Sequence, residues 1–354
     1  MTLFDVVIKA GIDSISIVGM AKNAGKTLTL NYLIQKALQR NILLGLTSTG
    51  RDGELQDIVY YTHKPPIWVP KSALVATAWD CVNQSGAKIE IMEKTHFSTP
   101  LGEIIIGKVR ESGNIELVGP RTGVQLKQLI KHLKQLGARL VMVDGAVNRV
   151  SSAAPALTQG TILATGAALG HSIRTVVEKT ALQVEFFRLK RTREDLRNLA
   201  KPLIDMGRTG VIQEGKIREL KLETALMAGK QVAESITPET EAVVIGGAVS
   251  NKIIEDLTKT IPVEGVEIIV KDGTRLFLEP MVYKRFKAGK GSITAVYPIN
   301  LLAVTVNPTS PEGYSFSPRE FLSKIKKALF PIPVYDVVLG EGGVDEGDVC
   351  GIHE

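Results

Sequence analysis

Cysteine is nearly absent from this chain: Cys81 and Cys350 are the two present in 354 residues. Two distant thiols give neither a disulfide framework nor a metal-ligand spacing, and point to a reducing compartment. The five histidines (His63, His96, His132, His171 and His353) also lack metal spacing, and His132, beside Lys131 and Lys134, reads as a surface residue. Aromatic residues make up 5% of the chain, and none is interleaved in its densest basic run, Arg188 to Arg197. With Glu194 and Asp195 inside it, that run reads as a solvated helix face, so no nucleic-acid partner is expected. Neither sign of charge dominates, since 43 Lys and Arg face 37 Asp and Glu and the surplus is spread along the chain. No apolar run is long enough to span a bilayer: the longest, 292–306, is broken by Pro298 and Asn300. The first ten residues show no basic region followed by an apolar core, so the expectation is a cytoplasmic protein without a membrane partner.

What is present is a phosphate-binding pattern. Gly19-Met20-Ala21-Lys22-Asn23-Ala24-Gly25-Lys26-Thr27 follows the apolar run Ile15 to Val18. It precedes a segment in which Leu30, Leu33, Ile34, Ala37 and Leu38 recur at helical spacing. Strand, glycine-bounded loop, Lys-Thr and helix is the context in which backbone N–H groups cradle phosphate oxygens. Lys26 is then expected to reach the β- and γ-phosphates and Thr27 to ligate Mg²⁺. Gly19, Lys22, Asn23, Ala24 and Gly25 complete the candidate nucleotide-binding set. Lys22 either adds a cation near the leaving phosphate or is a solvated lysine. Five residues separate Gly19 from Gly25, one more than the common spacing, because Met20 stands where a glycine would be.

A second strand ends in an acid: Leu140-Val141-Met142-Val143-Asp144-Gly145-Ala146. A carboxylate at a strand end beside a phosphate loop can hold Mg²⁺ or its water, so Asp144 is a candidate catalytic and metal residue. Between the two motifs, Thr47-Ser48-Thr49-Gly50-Arg51-Asp52-Gly53-Glu54 suits a segment that senses the γ-phosphate. Asp52 is the candidate second metal or water contact, with Glu54 its weaker alternative; Arg51 and Thr49 are candidate phosphate contacts. The other reading is a polar turn closing on Gly53. Past Asp144, the segments with Asn148, Arg149, Ser151-Ser152 and Thr165-Gly166-Ala167-Ala168 suit either a nucleobase or capping and tight packing. No Asn-Lys-x-Asp stands at a strand end, so the default nucleotide is ATP with Mg²⁺.

Around these motifs the first two hundred residues alternate strand and helix. Strands are expected at 14–18, 42–47, 73–78, 103–109, 115–118, 140–143 and 161–164, with a hairpin turn at 111–114. Helix 124–136 presents Leu126, Leu129, Ile130, Leu133 and Leu136 as one stripe. A boundary is expected near Pro202 to Gly210, followed by strands at 242–245, 266–270 and 301–306 and helices near 250–258 and 319–329. Gly246-Gly247-Ala248 lacks the Lys and Ser/Thr of a nucleotide loop and reads as close packing.

The five-residue gap before Gly25-Lys26-Thr27 and the sequence Val143-Asp144-Gly145-Ala146 resemble the dethiobiotin synthetase-like branch of phosphate-loop NTPases. That resemblance covers residues 14 to about 200 and implies a P-loop NTPase; with the strand and helix pattern above, the expected fold is α/β, with a mostly parallel sheet P-loop NTPase domain over 1–206, a smaller α/β domain over 207–340 and a flexible, acidic, glycine-rich tail over 341–354. The four segments Gly19–Thr27, Thr47–Glu54, Val143–Arg149 and Leu163–Ala167 are similar to the ATPase subunits of lysine 5,6-aminomutase reactivases. Such a likeness implies an ATP-hydrolysing factor of lysine fermentation that works with a MutS-like partner on an adenosylcobalamin- and pyridoxal-phosphate-dependent aminomutase. A homo-oligomer is compatible with it. The rival reading is an ATP-dependent small-molecule synthetase or kinase. Biotin chemistry itself is disfavoured, because Met20-Ala21-Lys22 replaces the Thr-Asp-Thr of the synthetase loop.

Overall fold

A computed structural model describes residues 1–49, 67–147, 157–221, 228–260 and 266–343. The chain divides into two compact units, one of Met1–Thr180 with Asn300–Glu354 and one of Ala181–Ile299. Among the described residues the strands begin with β1 (Ser14–Gly19), β2 (Leu44–Ser48), β3 (Ile67–Val69), β4 (Leu74–Ala78) and β5 (Lys88–Thr99). They continue with β6 (Gly102–Glu111), β7 (Gly113–Ile115), β8 (Leu140–Val147), β9 (Gly160–Gly166) and β10 (Thr209–Gln213). Next come β11 (Lys216–Leu220), β12 (Thr240–Ile245), β13 (Val249–Ser250), β14 (Glu267–Val270) and β15 (Leu276–Phe277). The last four are β16 (Ser292–Ala295), β17 (Leu301–Asn307), β18 (Val334–Asp336) and β19 (Glu341–Gly343).

The first unit is built on a ten-stranded sheet of order β19-β18-β17-β9-β1-β8-β2-β4-β6-β5. It is parallel from β18 to β4 and antiparallel at its margins. Its central strands β1, β2 and β9 are buried along their whole length, and their polar residues are small hydroxyls such as Ser16, Thr47 and Thr161, as a sheet covered on both faces requires. Along β8 the period of two sends Leu140 and Met142 into one core, with Leu30, Leu33 and Ile34 of helix Lys26–Gln39. Val141 and Val143 enter the opposite core, with Leu126, Leu129, Ile130 and Leu133 of helix Gly123–Gln135. That helix is closed at its start by a capping box between Thr122 and Gln125. The central strands fall where the sequence places them, at β1, β2, β4, β8 and β9.

Several expectations differ from the fold. The strand expected at 115–118 does not form, since β7 ends at Ile115 and 116–118 belong to no strand. Leu38 is 46% exposed and lies outside the buried stripe of its helix. The hairpin turn is at 99–102, joining β5 to β6, because Gly102 (φ +91°) accepts the reversal. The Glu111–Asn114 segment instead delivers β7 to β3. β5 has no counterpart among the expected strands; it is an edge strand with Ile91 and Met92 at 43% and 45% exposure, so burial leaves little pattern in it. Finally, the expected 207–340 domain loses its last third. β17 pairs in parallel with β9, and β18 with β17, so residues after 300 complete the first unit, while 181–206 belong to the second. A strand that finds its partner some 140 positions earlier has no local mark of that pairing. Glu341–Gly343 forms β19, and residues 344–354 lie outside the described residues.

The second unit carries a five-stranded sheet of order β11-β10-β12-β14-β16, parallel from β12 to β16. Glu214 and Gly215, both at positive φ, close the β10–β11 hairpin as a primed turn requires. Helix Glu194–Asp205 is amphipathic: it buries Leu196, Ala200, Leu203 and Ile204. A Cβ on Gly246 would lie 2.4 Å from the Arg208 carbonyl oxygen, so this glycine is required by close packing of backbone. No helix among the described residues is long and apolar enough to cross a membrane.

The two leucines on one helix give a direct check of its buried face. Leu33→Ala should lower the unfolding free energy by about 2–5 kcal/mol, whereas Leu38→Ala should stay within about 0.5 kcal/mol of the parent. Equilibrium denaturation in urea measures both; comparable losses would contradict the assigned stripe.

Candidate functional site

β1 ends at Gly19, and the next amide, that of Met20, donates to the Ala164 carbonyl at 3.0 Å, tying the loop to β9. The loop turns through two left-handed residues, Asn23 (φ +63°) and Gly25 (φ +94°). The helix begins immediately afterwards at Lys26, and Gly25 offers no side-chain cap. Its first backbone bond runs from the Thr29 amide to the Gly25 carbonyl (3.0 Å), so the amides of 26–28 have no intrahelical acceptor. The loop therefore ends in a partly positive helix terminus without a side-chain cap.

Lys26 does not extend into solvent. Its ammonium forms a 2.7 Å ion pair with Asp144 Oδ1 and donates to the Gly145 carbonyl; the two side chains are 7% and 1% exposed. Adjacency of β1 and β8 makes this possible, with Ile17 registered against Asp144. Gly145 permits the approach, since a Cβ there would lie 2.8 Å from the Ile17 carbonyl oxygen. On the far side of β8, the end of β2 grips the same residue: Ser48 Oγ (3.0 Å) and the Thr49 amide (3.1 Å) both donate to the Asp144 carbonyl. Gly119 passes so close to Ser48 that a Cβ would sit 1.5 Å from its carbonyl oxygen. The Thr49 hydroxyl is buried and has no hydrogen-bond partner among the described residues.

The structure thus brings together Gly19, Asn23, Ala24, Gly25, Lys26, Thr27, Thr49 and Asp144 at the carboxyl ends of adjacent parallel strands. Thr27 is half-buried on the first helical turn and Lys22 is exposed. Arg51 and Asp52, with Gly50, Gly53 and Glu54, lie outside the described residues, as do Asn148, Arg149, Ser151 and Ser152. At the end of β9, Thr165 bonds Thr180 (2.7 Å), and a Cβ on Gly166 would meet the Asn307 carbonyl oxygen at 2.5 Å. Internal bonding and tight packing account for both residues.

Asn307 is the residue that the sequence reading misses. It ends β17, and its amide nitrogen donates to the Asn23 carbonyl in the loop at 3.0 Å. A Cβ on Gly25 would lie 2.8 Å from Asn307 Cβ, so the loop is seated on this side chain. Thr305 on the same strand bonds Thr29 through their hydroxyls (2.8 Å), fixing the helix start as well. The available signal was an Asn-Pro directly after an apolar run, which is also a common way to end a strand.

A divalent cation needs hard oxygen donors; of the candidate metal residues, Asp144 and Thr27 carry such oxygens beside the loop, and Asp52 lies outside the described residues. No cluster of three or more His, Cys, Asp or Glu that could hold a metal occurs among the described residues. A single carboxylate with a hydroxyl beside it is the kind of donor set that Mg²⁺ accepts, because that ion keeps several of its waters.

A buried pair that loses one member leaves an uncompensated charge. Asp144→Ala should destabilise the chain by about 3–5 kcal/mol, and Lys26→Met added to it should recover most of the loss. A urea double-mutant cycle decides; strictly additive losses would show that the pair is not coupled. Comparison with known family models found no match, and searches of curated proteins and of solved structures found none either.

Proposed function

We propose that this chain binds Mg²⁺–ATP on Gly19–Thr27 and hydrolyses it to drive a conformational change. The observation that best supports this reading is the buried Lys26–Asp144 pair at the helix terminus that follows the glycine-bounded loop. Burying two opposite charges is costly, and a well-packed apolar pair would stabilise the core as well or better. What the pair suits is exchange. A phosphate accepts from the Lys26 ammonium, a magnesium ion takes the Asp144 carboxylate, and the two ligand charges replace one ion pair by two. The loop amides and Lys26 hold phosphate, Thr27 and Asp144 hold the metal, and Asp52 orders the metal or the attacking water. Thr49 and Ser48 are bonded to Asp144, so movement at the metal passes into the segment that leads to Arg51 and Asp52.

The protein served by this cycle is inferred from the resemblance of four segments to the ATPase subunits of lysine 5,6-aminomutase reactivases. On that reading the chain acts with a MutS-like partner to restore an adenosylcobalamin-dependent aminomutase after cofactor damage. Phosphate release from ATP, with and without aminomutase and MutS-like companion, tests it. We expect Mg²⁺-dependent turnover that the partners stimulate and that Lys26→Ala reduces by about 100-fold or more. Nucleotide binding without turnover in any mixture would overturn the ATPase reading. Phosphate appearing on a metabolite would favour the synthetase or kinase alternative.

A further inference from the structure

The carboxyl ends of β9 and β17 carry a series of rings that the phosphate chemistry does not use. Tyr314 donates its hydroxyl to the Ala167 carbonyl, just after β9, at 2.7 Å. Its ring lies 5.0 Å from that of His171, with the planes inclined by 37°. Behind it, Phe316 at 5.9 Å and then Phe321 at 5.3 Å continue the series into the core, where Phe321 is fully buried. The outermost member is the opposite: the His171 side chain is 79% exposed, flanked by the Glu312 carboxylate at 3.6 Å. An exposed ring backed by an anchored ring is a stacking platform with a free face.

Its place in the sheet gives it meaning. In the order β17-β9-β1-β8, Asp144 lies on one side of the loop strand and the rings on the other. In a nucleoside triphosphate the metal-bound phosphates and the base are opposite ends of the molecule. With the metal toward β8, the base is led over β9 and β17. Asn307 stands between, and both ends of its amide are engaged, Nδ2 with the Asn23 carbonyl and Oδ1 with the Thr309 amide (3.2 Å).

Resting on the triphosphate reading above, we infer that His171 and Tyr314 receive the nucleobase by stacking, while Asn307 positions the loop and does not read the base. Stacking tolerates any base, because every base has a π-face. The site therefore grips the nucleoside without selecting strongly between adenine and guanine.

Calorimetric titration with the Mg²⁺ complexes of ATP, GTP and inorganic tripolyphosphate separates the two layers of the argument. The parent protein should bind ATP about 5- to 100-fold more tightly than tripolyphosphate. ATP and GTP should differ by less than about tenfold. His171→Ala should remove most of the nucleotide advantage and leave tripolyphosphate affinity unchanged, and His171→Phe should retain the advantage. Asn307→Ala should weaken all three ligands alike. An unchanged ATP-to-tripolyphosphate ratio in His171→Ala overturns the platform, and a preference for one base beyond tenfold overturns recognition by stacking. If the parent binds none of the three, the phosphate-loop reading fails first. Tripolyphosphate affinity also reports folding of each variant, so a collapsed protein is not mistaken for a lost platform.

Discussion

The ion pair between Lys26 and Asp144 joins the start of the helix after the loop to β8, and much of the first unit is arranged so that it can exist. β1 and β8 must be neighbours, and Gly145 must lack a side chain for β8 to close on Ile17. The helix must start at Lys26 for the ammonium to turn inward, which requires the left-handed Gly25 before it. Two cores, one on each face of the sheet, exclude water from strands that would otherwise solvate the charges separately. The same low dielectric that strengthens the pair makes either charge costly alone, so a charged ligand that partners both is favoured over one that partners neither.

Around that pair the loop is held at three points by three strands. β9 takes the amide of Met20, β17 supports Asn23 and Gly25 through Asn307, and β8 takes the ammonium of Lys26. A phosphate cradle needs its amides fixed before the ligand arrives, because ordering them on binding would offset the affinity gained. The late return of the chain at β17 therefore supports the loop as well as extending the sheet.

The second unit has a different construction. Its sheet mixes an antiparallel hairpin with three parallel strands, and its glycine-rich turn at Gly246 is explained by backbone packing against Gly207 and Arg208. Nothing in that turn repeats the Lys-Thr of the first loop. The polar chemistry described for nucleotide lies wholly in the first unit.

Local pattern alone determined the central strands, the helix after the loop and the presence of a glycine-bounded loop and an acid-ended strand. Each of these rests on periodicity or on residues close together in sequence, and Gly25-Lys26-Thr27 and Val143-Asp144-Gly145 carry their chemistry within three positions. The structure decided what depends on distant partners. β5 has one neighbour and mostly exposed residues, so its strand character comes from β6 and not from its own pattern. Leu38 continues the apolar spacing but turns away from the core at the end of its helix. Asn307 is an ordinary strand-end residue until β17 is laid beside β9, and only then does its amide reach the loop 284 positions earlier. Sequence encodes which face is apolar and which loop is glycine-bounded; long-range pairing alone decides which side chain is brought against that loop.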